Sequence, residues 1–201
     1  MTPSLLAVMA EYNCWMNLRL YEAAAKLSEV QIFEDRGAFF GSLFNTLNHI
    51  AVADLIWLHR FAQHQGLSEL QNEMAAFPNP TSLRERVANS LPELSELRVR
   101  IDAVITKLAG LVTEQHLVGT LRYGNTAGQR QAKNFSLLLQ HFFNHQTHHR
   151  GQASTLLFQA GVDLGVTDLN ALIPSEADLS IERCAQRLAP LGAPHFKRFD
   201  Q

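Results

Sequence analysis

The sequence predicts an all-α protein organised as a four-helix bundle. Four long stretches place apolar residues at steps of three and four, and turn residues and prolines separate these stretches. The chain contains neither an internal repeat nor a low-complexity segment. Its 201 residues suffice for one domain with a full core, and two are not expected. We expect a bundle over residues 1–161 and a tail over residues 162–201 that packs on the bundle or on a partner subunit.

The first two long helices begin at residues that favour helix starts. Thr2 can cap a helix whose first position is Pro3, and Gly41 and Ser42 precede the second helix. Each helix carries an apolar stripe suited to a bundle interior. The first stripe is Met9, Asn13, Met16, Leu20, Ala23 and Leu27, and the second is Leu43, Leu47, Ile50, Asp54, Trp57 and Phe61.

The third helix is predicted between Pro80 and Gly110. Ser82 and Glu85 have the spacing of a capping box, which predicts a helix start near residue 82. Pro92 interrupts the early part of this stretch, and Ser90 can cap a restart there. We therefore expect either a kinked helix or two shorter helices.

The fourth helix follows a segment with a different pattern. Leu117, Gly119, Leu121 and Tyr123 alternate before the turn residues 124–128, which favours a short β-hairpin. The last long helix then spans residues 134–160 and ends at Gly161. The tail beyond it is irregular, because its helical patterns are short and are interrupted by Pro174, Pro190, Gly192 and Pro194.

Composition excludes several classes of function. The net charge is −2, and the lysines and arginines are scattered, so we expect no nucleic-acid partner. The N-terminus lacks the features of a secretory signal, and the apolar runs are too short to span a membrane. We expect a cytoplasmic protein. Cys14 and Cys184 lie far apart and outside any Cys-x-x-Cys pair, which indicates neither a disulfide framework nor a thiolate metal site.

The most informative motif lies in the last helix. His145 and His149 are four residues apart, so they share a helix face and can bind one transition metal. Burying an unpartnered imidazole or amide costs about 1–3 kcal/mol, so polar side chains in this seam need a partner such as a metal, water or each other. A third histidine from another helix would complete a site with an open position. The seam is Leu138, Phe142, His145, His149, Gln152 and Leu156.

Spacing alone leaves the third ligand open. His49 lies beside the apolar stripe of its helix, whereas Asp54 lies in its middle. Asp54 can serve as a ligand, as an acceptor that orients an imidazole, or as an ion-pair partner for a residue such as Arg150. His141, one turn before His145, and His148 also compete.

Three further side chains are candidates for a role beside the metal. Gln152 is the best candidate to orient a histidine ligand. Arg150 can bind an anionic substrate, but an arginine at such a position is more often part of a surface or interhelix ion pair. Asn48, next to His49, is equally well explained as a solvated amide on the helix surface.

Three segments resemble the DinB family of metal-binding four-helix proteins, which is unrelated to the DNA polymerase of that name. They are residues 12–17 (YNCWMN), residues 47–58 (LNHIAVADLIWL) and residues 144–152 (NHQTHHRGQ), and the likeness extends to about Gly161. The resemblance implies a homodimer with one divalent metal bound by His49, His145 and His149. His141 would then lie behind the ligands or pack against them, and His148 would point elsewhere.

The resemblance implies two kinds of chemistry. Some DinB proteins are S-transferases or isomerases that use bacillithiol, mycothiol or a similar low-molecular-weight thiol, which predicts a small-molecule substrate. A metal with three neutral imidazole ligands can lower the pKa of a bound thiol, or of water in a hydrolase. Imidazole ligands favour zinc or nickel, with iron or copper as further options.

The sequence is also compatible, to different degrees, with two non-enzymatic functions. The protein can instead be a non-catalytic, stress-linked metal-binding dimer. An enzyme needs an open metal position that faces a substrate pocket, and a binding protein does not. A haem or di-iron carrier fits less well, because the helices show no pair of Glu-x-x-His motifs.

Overall fold

Residues 1–173 are described by a computed structural model, and they form the predicted four-helix bundle with a β-hairpin before the last long helix. In this part of the chain, no helix has both the length and the apolar character needed to cross a bilayer. In chain order the elements are α1 (Pro3–Ala24), α2 (Glu29–Phe33), α3 (Leu43–Phe61), α4 (Ser68–Met74), α5 (Leu91–Leu111), α6 (Glu114–Leu117), β1 (Thr120–Gly124), β2 (Arg130–Asn134), α7 (Phe135–Gln159) and a 3-10 turn (Leu169–Leu172).

The four long helices form a bundle in which each helix packs on two neighbours. Helix α1 packs on α5 and α7, and α3 packs on the same two helices. Their inward faces form one apolar core, as expected when each amphipathic helix buries its stripe. Fully buried members of this core include Leu6, Leu20, Phe44, Leu47, Phe61, Phe135 and Phe142.

The predicted helix starts are confirmed at three positions. Thr2 accepts a hydrogen bond from the main chain of Leu5 (3.2 Å) and Ser42 accepts one from Asn45 (3.2 Å). Asn134 caps α7 in the same way. These side chains satisfy main-chain donors that have no partner within the helix, and so they define where α1, α3 and α7 begin.

The predicted helix start near residue 82 is wrong. Residues 80–90 form a loop, and α5 begins at Leu91 after the Ser90 cap, with Pro92 in its first turn. The Glu85 carboxylate accepts from the main chain of Thr81 (2.6 Å) and Ser82 (2.8 Å), as in a capping box, but no helix follows. Tertiary hydrogen bonds hold this chain segment in a loop instead.

Asn48 supplies those tertiary hydrogen bonds. Its amide nitrogen donates to the carbonyl of Glu85 (2.8 Å), and its carbonyl oxygen accepts from the main chain of Val87 (3.0 Å). The side-chain amide thus donates one hydrogen bond to the loop main chain and accepts one from it, as a neighbouring β-strand would. The interpretation of Asn48 as a solvated surface amide is therefore wrong. This contact fixes the loop beside His49.

The β-hairpin is confirmed. Strands β1 and β2 pair antiparallel, with Leu121 opposite Lys133 and Tyr123 opposite Gln131. Leu121 and Tyr123 are buried and their strand neighbours are exposed, which agrees with the alternation in the sequence. Leu117, which begins that alternation, instead ends the short helix α6.

Three short helices were not predicted from the sequence. Helix α2 follows a capping box in which the side chains of Ser28 and Gln31 each bond the other's main chain. This Ser-x-x-Gln pattern is visible in the sequence and could have identified α2. Helix α4 lacks a capping side chain, and its start therefore gives no comparable signal.

The first residues after α7 lie along α1. Arg19 donates to the carbonyl of Leu164 (2.7 Å), and the Tyr12 hydroxyl donates to that of Thr167 (2.7 Å). Residues 168–173 belong to a separate unit. The rest of the predicted tail, residues 174–201, lies outside the described residues. The division of the chain at residue 161 remains a prediction.

Candidate metal centre

Two packed helices bring three histidines together. His49 lies in the first half of α3, and His145 and His149 lie one turn apart in the middle of α7. Each offers one ring nitrogen, and the three nitrogens lie within 4.8 Å of one another. Nε2 of His49 is 3.3 Å from Nε2 of His145. Two imidazoles that bind one tetrahedral metal at about 2.0–2.1 Å have nitrogens about 3.3–3.4 Å apart, so the observed separation fits such an ion.

The third ring, His149, is oriented by a neighbouring amide. Its Nδ1 donates to Oε1 of Gln152 (2.7 Å), one turn along the same helix. The amide nitrogen of Gln152 faces Nε2 of His148 (3.4 Å), which is consistent with Oε1 facing His149. In the neutral ring only one nitrogen carries a proton, so the lone pair of His149 lies on Nε2.

Burial keeps the three imidazoles neutral. Loss of solvent contact, followed by the neighbouring rings, lowers the pKa of His145 to about 3. Burial and then His149 lower the pKa of His49 to about 4, although a contact with the main chain of Leu83 opposes this. Burial also lowers the pKa of His149. Since only neutral imidazole can bind a metal, all three rings are available as ligands at neutral pH.

The donor set fits a divalent transition metal. Within residues 1–173, this is the one group of three or more histidine, cysteine or acidic side chains close enough to share an ion. Three imidazoles without a carboxylate or a thiolate suit zinc, nickel, copper or iron(II) rather than magnesium or calcium. Nδ1 of His49 is buried without a well-formed hydrogen bond, although the main chain of Leu83 lies near it. The ring of His49 is therefore oriented less firmly than the ring of His149, which bonds Gln152.

Phe40 covers one side of the cluster. Its ring stacks on His49, with 4.1 Å between ring centroids, and meets His149 edge-on at 5.4 Å. Phe40 belongs to a tight loop in which Ala38 and Gly41 pair, and the ring of Phe39 points into solvent. His49 and His149 are both buried. His145, which is half-buried, is the most accessible of the three.

The other candidate histidines lie outside the cluster. His141 packs against Trp57 (5.2 Å between centroids) and is 6.1 Å from the ring of His145. Burial, together with the positive charges of Lys133 and Arg60, lowers its pKa. His148 is exposed and contacts Gln152. Neither ring joins the three that share a common centre.

Asp54 is an ion-pair partner, but not for Arg150. It is almost fully buried and pairs with Arg98 of α5 at 2.5 Å. Arg98 also pairs with Asp102, one turn further along α5, at 2.9 Å. Burial raises the pKa of both aspartates, and that of Asp102 reaches about 6. The guanidinium of Arg98, which the two aspartates share, opposes this rise in both. Asp54 is thus part of the bundle core and not of the histidine cluster.

Arg150 is neither exposed nor part of an ion pair within the described residues. Its guanidinium donates to the side-chain carbonyl of Asn13 on α1 and to Thr147 (3.3 Å), and it lies over the ring of Tyr12. Burial lowers its pKa. The expectation of an ion pair for Arg150 is therefore wrong, because the partner on α1 is an amide. Neither of its hydrogen bonds involves a histidine of the cluster.

Several residues near the site were missed by sequence reasoning. The i, i+4 spacing of Arg98 and Asp102 is visible in the sequence and could have suggested an ion pair within α5. Gln146 is fully buried beside Asp54, and its amide lowers the pKa of that carboxyl. For Phe40 no sequence signal existed, since an aromatic residue in a loop gives no periodicity.

These features define a bundle in which two helices present three neutral histidines around one point. The chain belongs to the DinB family, whose model matches residues 1–183. It is 27% identical to the protein DinB of Bacillus subtilis (strain 168) over 159 residues, which cover 79% of this chain and 87% of that protein. No solved structure gives a significant match.

Proposed function

We propose that this protein is a divalent-metal-dependent enzyme that transfers a low-molecular-weight thiol to an electrophilic small molecule. The observation that carries the proposal is the convergence of three neutral imidazole nitrogens from α3 and α7 within 4.8 Å. Zinc or nickel suits this donor set best, and a hydrolase would use the same three ligands. When bound there, the metal would lower the pKa of a thiol, or of a water molecule, at its open position.

The protein's own side chains prepare that position. His49, His145 and His149 would hold the ion, and Gln152 would keep Nε2 of His149 directed towards it. Phe40 excludes water from the side of His49, which strengthens electrostatic interactions within the site. Substrate would enter beside half-buried His145. His141 borders this side, so it is the candidate to contact substrate.

Within residues 1–173, Cys14 is poorly suited to supply the reactive thiol. Burial raises its pKa to about 11, with the negative charge of Asp102 as the next cause. Such a thiol is protonated at neutral pH and is a poor nucleophile. Cys14 is therefore not the nucleophile of the proposed reaction, which would take its sulfur from a small molecule bound at the histidine cluster.

Metal analysis of protein purified without a histidine tag tests the site. We expect about one equivalent of a divalent transition metal in the wild type and little in the His145→Ala and His149→Ala variants, since two imidazoles bind far more weakly than three. His59→Ala serves as the control, because His59 contacts the carbonyl of Pro78 outside the cluster. Unchanged metal content in both cluster variants would refute the proposal.

Turnover assays then test the reaction. The metal-loaded protein is incubated with cysteine, bacillithiol or mycothiol and a fluorogenic haloalkane, and the thioether product is quantified. We expect conjugation that requires the metal and is lost in His145→Ala. Hydrolysis of ester substrates without thiol conjugation would favour the hydrolase alternative instead.

A second candidate is a non-catalytic metal-binding protein linked to stress. The stacking of Phe40 on His49 favours it, because a covered site limits substrate access. Stoichiometric metal without turnover of any thiol or ester would support this candidate. We propose a homodimer in either case, as the resemblance stated from the sequence implies, and sedimentation velocity tests that assembly.

A further inference from the structure

A groove of about 620 Å³ lies near the C-terminal end of α3, away from the histidine cluster. Its walls come from α3, α4, the loop before residue 82 and the turn between β1 and β2. Arg60 is the one arginine that lines it, and His49 lies eleven positions earlier on α3. At about 1.5 Å per residue the two are about 16 Å apart along the helix, so a ligand of ordinary metabolite size would not bridge them.

Arg60 is held in place by aromatic rings. Its guanidinium lies over Trp57, 4.7 Å from the ring centroid, and over Tyr123 at 5.0 Å. Trp57 and Tyr123 also contact each other, so helix α3 and strand β1 together fix the position of the charge. Stacking of this kind leaves the N–H groups at the edge of the guanidinium free to bind an anion.

No anion within residues 1–173 neutralises Arg60. None of the four ion pairs in this part of the chain includes it. Burial nevertheless lowers its pKa. By contrast, Arg19 stacks on Trp15 and donates to the carbonyl of Leu164, and Arg100 stacks on Phe77 and donates to that of Ala76. A half-buried cation without a counterion is a favourable place for a ligand anion.

Neutral polar side chains surround the charge. Gln63, Gln71, Asn79 and Thr126 line the groove, and none of them makes a side-chain hydrogen bond within the described residues. Ile56 and Met74 contribute an apolar wall. One fixed cation in a groove with three free amides and one free hydroxyl matches a ligand that combines one acidic group with several hydroxyls.

We propose that this groove binds a small hydroxylated organic anion, a sugar acid or a sugar phosphate, with its carboxylate or phosphate on Arg60. The proposal does not depend on the metal centre. The guanidinium would donate to two oxygens of the acidic group, and the surrounding amides would bind the hydroxyls.

Calorimetric titration with glucuronate, glucose 6-phosphate and neutral glucose tests the proposal at constant ionic strength. We expect binding of at least one of the two anions, weaker or no binding of glucose, and at least about a tenfold rise in Kd in Arg60→Gln. A preference between the two anions distinguishes a carboxylate ligand from a phosphate ligand. The NMR resonance of the Trp57 indole N–H should shift on binding, whereas that of Trp15 should not.

Two control variants locate the effect. Arg130→Gln removes one positive charge from the hairpin whose turn borders the groove, but Arg130 does not itself line the groove, so the Kd of this variant should equal that of the wild type. His145→Ala should also leave the Kd unchanged, which separates this site from the metal centre. Failure of both anions to bind at millimolar concentration, or equal binding by Arg60→Gln, would overturn the proposal.

Discussion

One amide determines which nitrogen of His149 faces the other two histidines. Oε1 of Gln152 accepts the Nδ1 proton, so the lone pair on Nε2 points towards His49 and His145. Without that acceptor the ring could adopt the other tautomer, or it could rotate about its side-chain bonds. The hydrogen bond therefore contributes to metal affinity even though Gln152 would not touch the metal.

Substitution Gln152→Leu keeps the size of this side chain and removes the acceptor. We expect metal affinity to fall by about 10- to 100-fold, as measured by competition with a chromogenic chelator. The control is His148→Ala, which removes the other partner of Gln152 and leaves the bond to His149 in place. If both variants bind metal as tightly as the wild type does, the orientation of His149 is set by packing alone.

The second prediction at the residue scale concerns Cys14. With its pKa raised to about 11, about one part in a thousand of this thiol is ionised at pH 8, against about a tenth for a thiol with a pKa of 9. Alkylation by iodoacetamide should therefore be about 100-fold slower in the folded protein than in guanidinium chloride, and it should accelerate as the pH approaches 11. Mass spectrometry of the Cys14 peptide measures both rates. Equal rates would show that the thiol is not protected.

How far the site could be predicted depends on which residues share a helix. His145 and His149 follow from their spacing, because a helix fixes the angle between residues four apart. His49 lies on another helix, and only the packing of α3 on α7 turns it towards the pair. Periodicity therefore could not choose between His49 and Asp54. The resemblance to DinB proteins made that choice, and the geometry agrees with it.

At the scale of elements, two loops flank the histidine cluster. The loop before α3 places Phe40 on His49, and the loop before α5 brings the main chain of Leu83 next to that ring. Neither loop could be predicted from local patterns. Ser82 and Glu85 have helix-capping spacing, yet Asn48 bonds the main chain at Glu85 and Val87 and so favours the loop. Helix caps, which are local, were predicted correctly at Thr2 and Ser42.

Phe40→Ala removes the aromatic cover from the site. We expect a chelator such as EDTA to extract the metal about tenfold faster, because the apolar surroundings of a metal limit solvent access. Phe39→Ala is the matched control, since its ring is 86% exposed and meets the ring of Phe40 edge-on (4.9 Å between centroids) without contacting the cluster histidines. Stopped-flow measurement of metal release compares the two. Equal acceleration in both would indicate a general loosening of the loop and not the loss of a cover.

At the scale of the whole molecule, a buried polar network joins all four long helices. Arg98 and Asp102 on α5 bond Asp54 on α3 and Asn13 and Asn17 on α1, and Arg150 on α7 donates to Asn13. Each bond requires one relative rotation of its helices, so the network specifies how the bundle assembles. Sequence patterns predicted the bundle but not these pairs, because they depend on which helices are neighbours.

The charged side chains in this network are far less exposed to solvent than those of a surface ion pair. Arg98 is nearly inaccessible to water and bonds two buried carboxylates, whereas Lys107 pairs with Glu73 and both side chains are 41% exposed. Substitution Arg98→Met leaves two carboxylates buried without a cation, which costs about 3–5 kcal/mol of stability. Lys107→Met should cost about 0–1 kcal/mol, because solvent replaces the lost partner.

Urea denaturation of both variants measures this difference. A third variant adds Asp54→Asn and Asp102→Asn to Arg98→Met, which removes the unpaired charges while keeping similar side-chain volumes. It should recover part of the stability lost in Arg98→Met, because the main cost there is the unpaired buried charge and not the lost attraction. If Arg98→Met were no less stable than Lys107→Met, water would have to reach the network. The bundle would then be held in register by its apolar core alone.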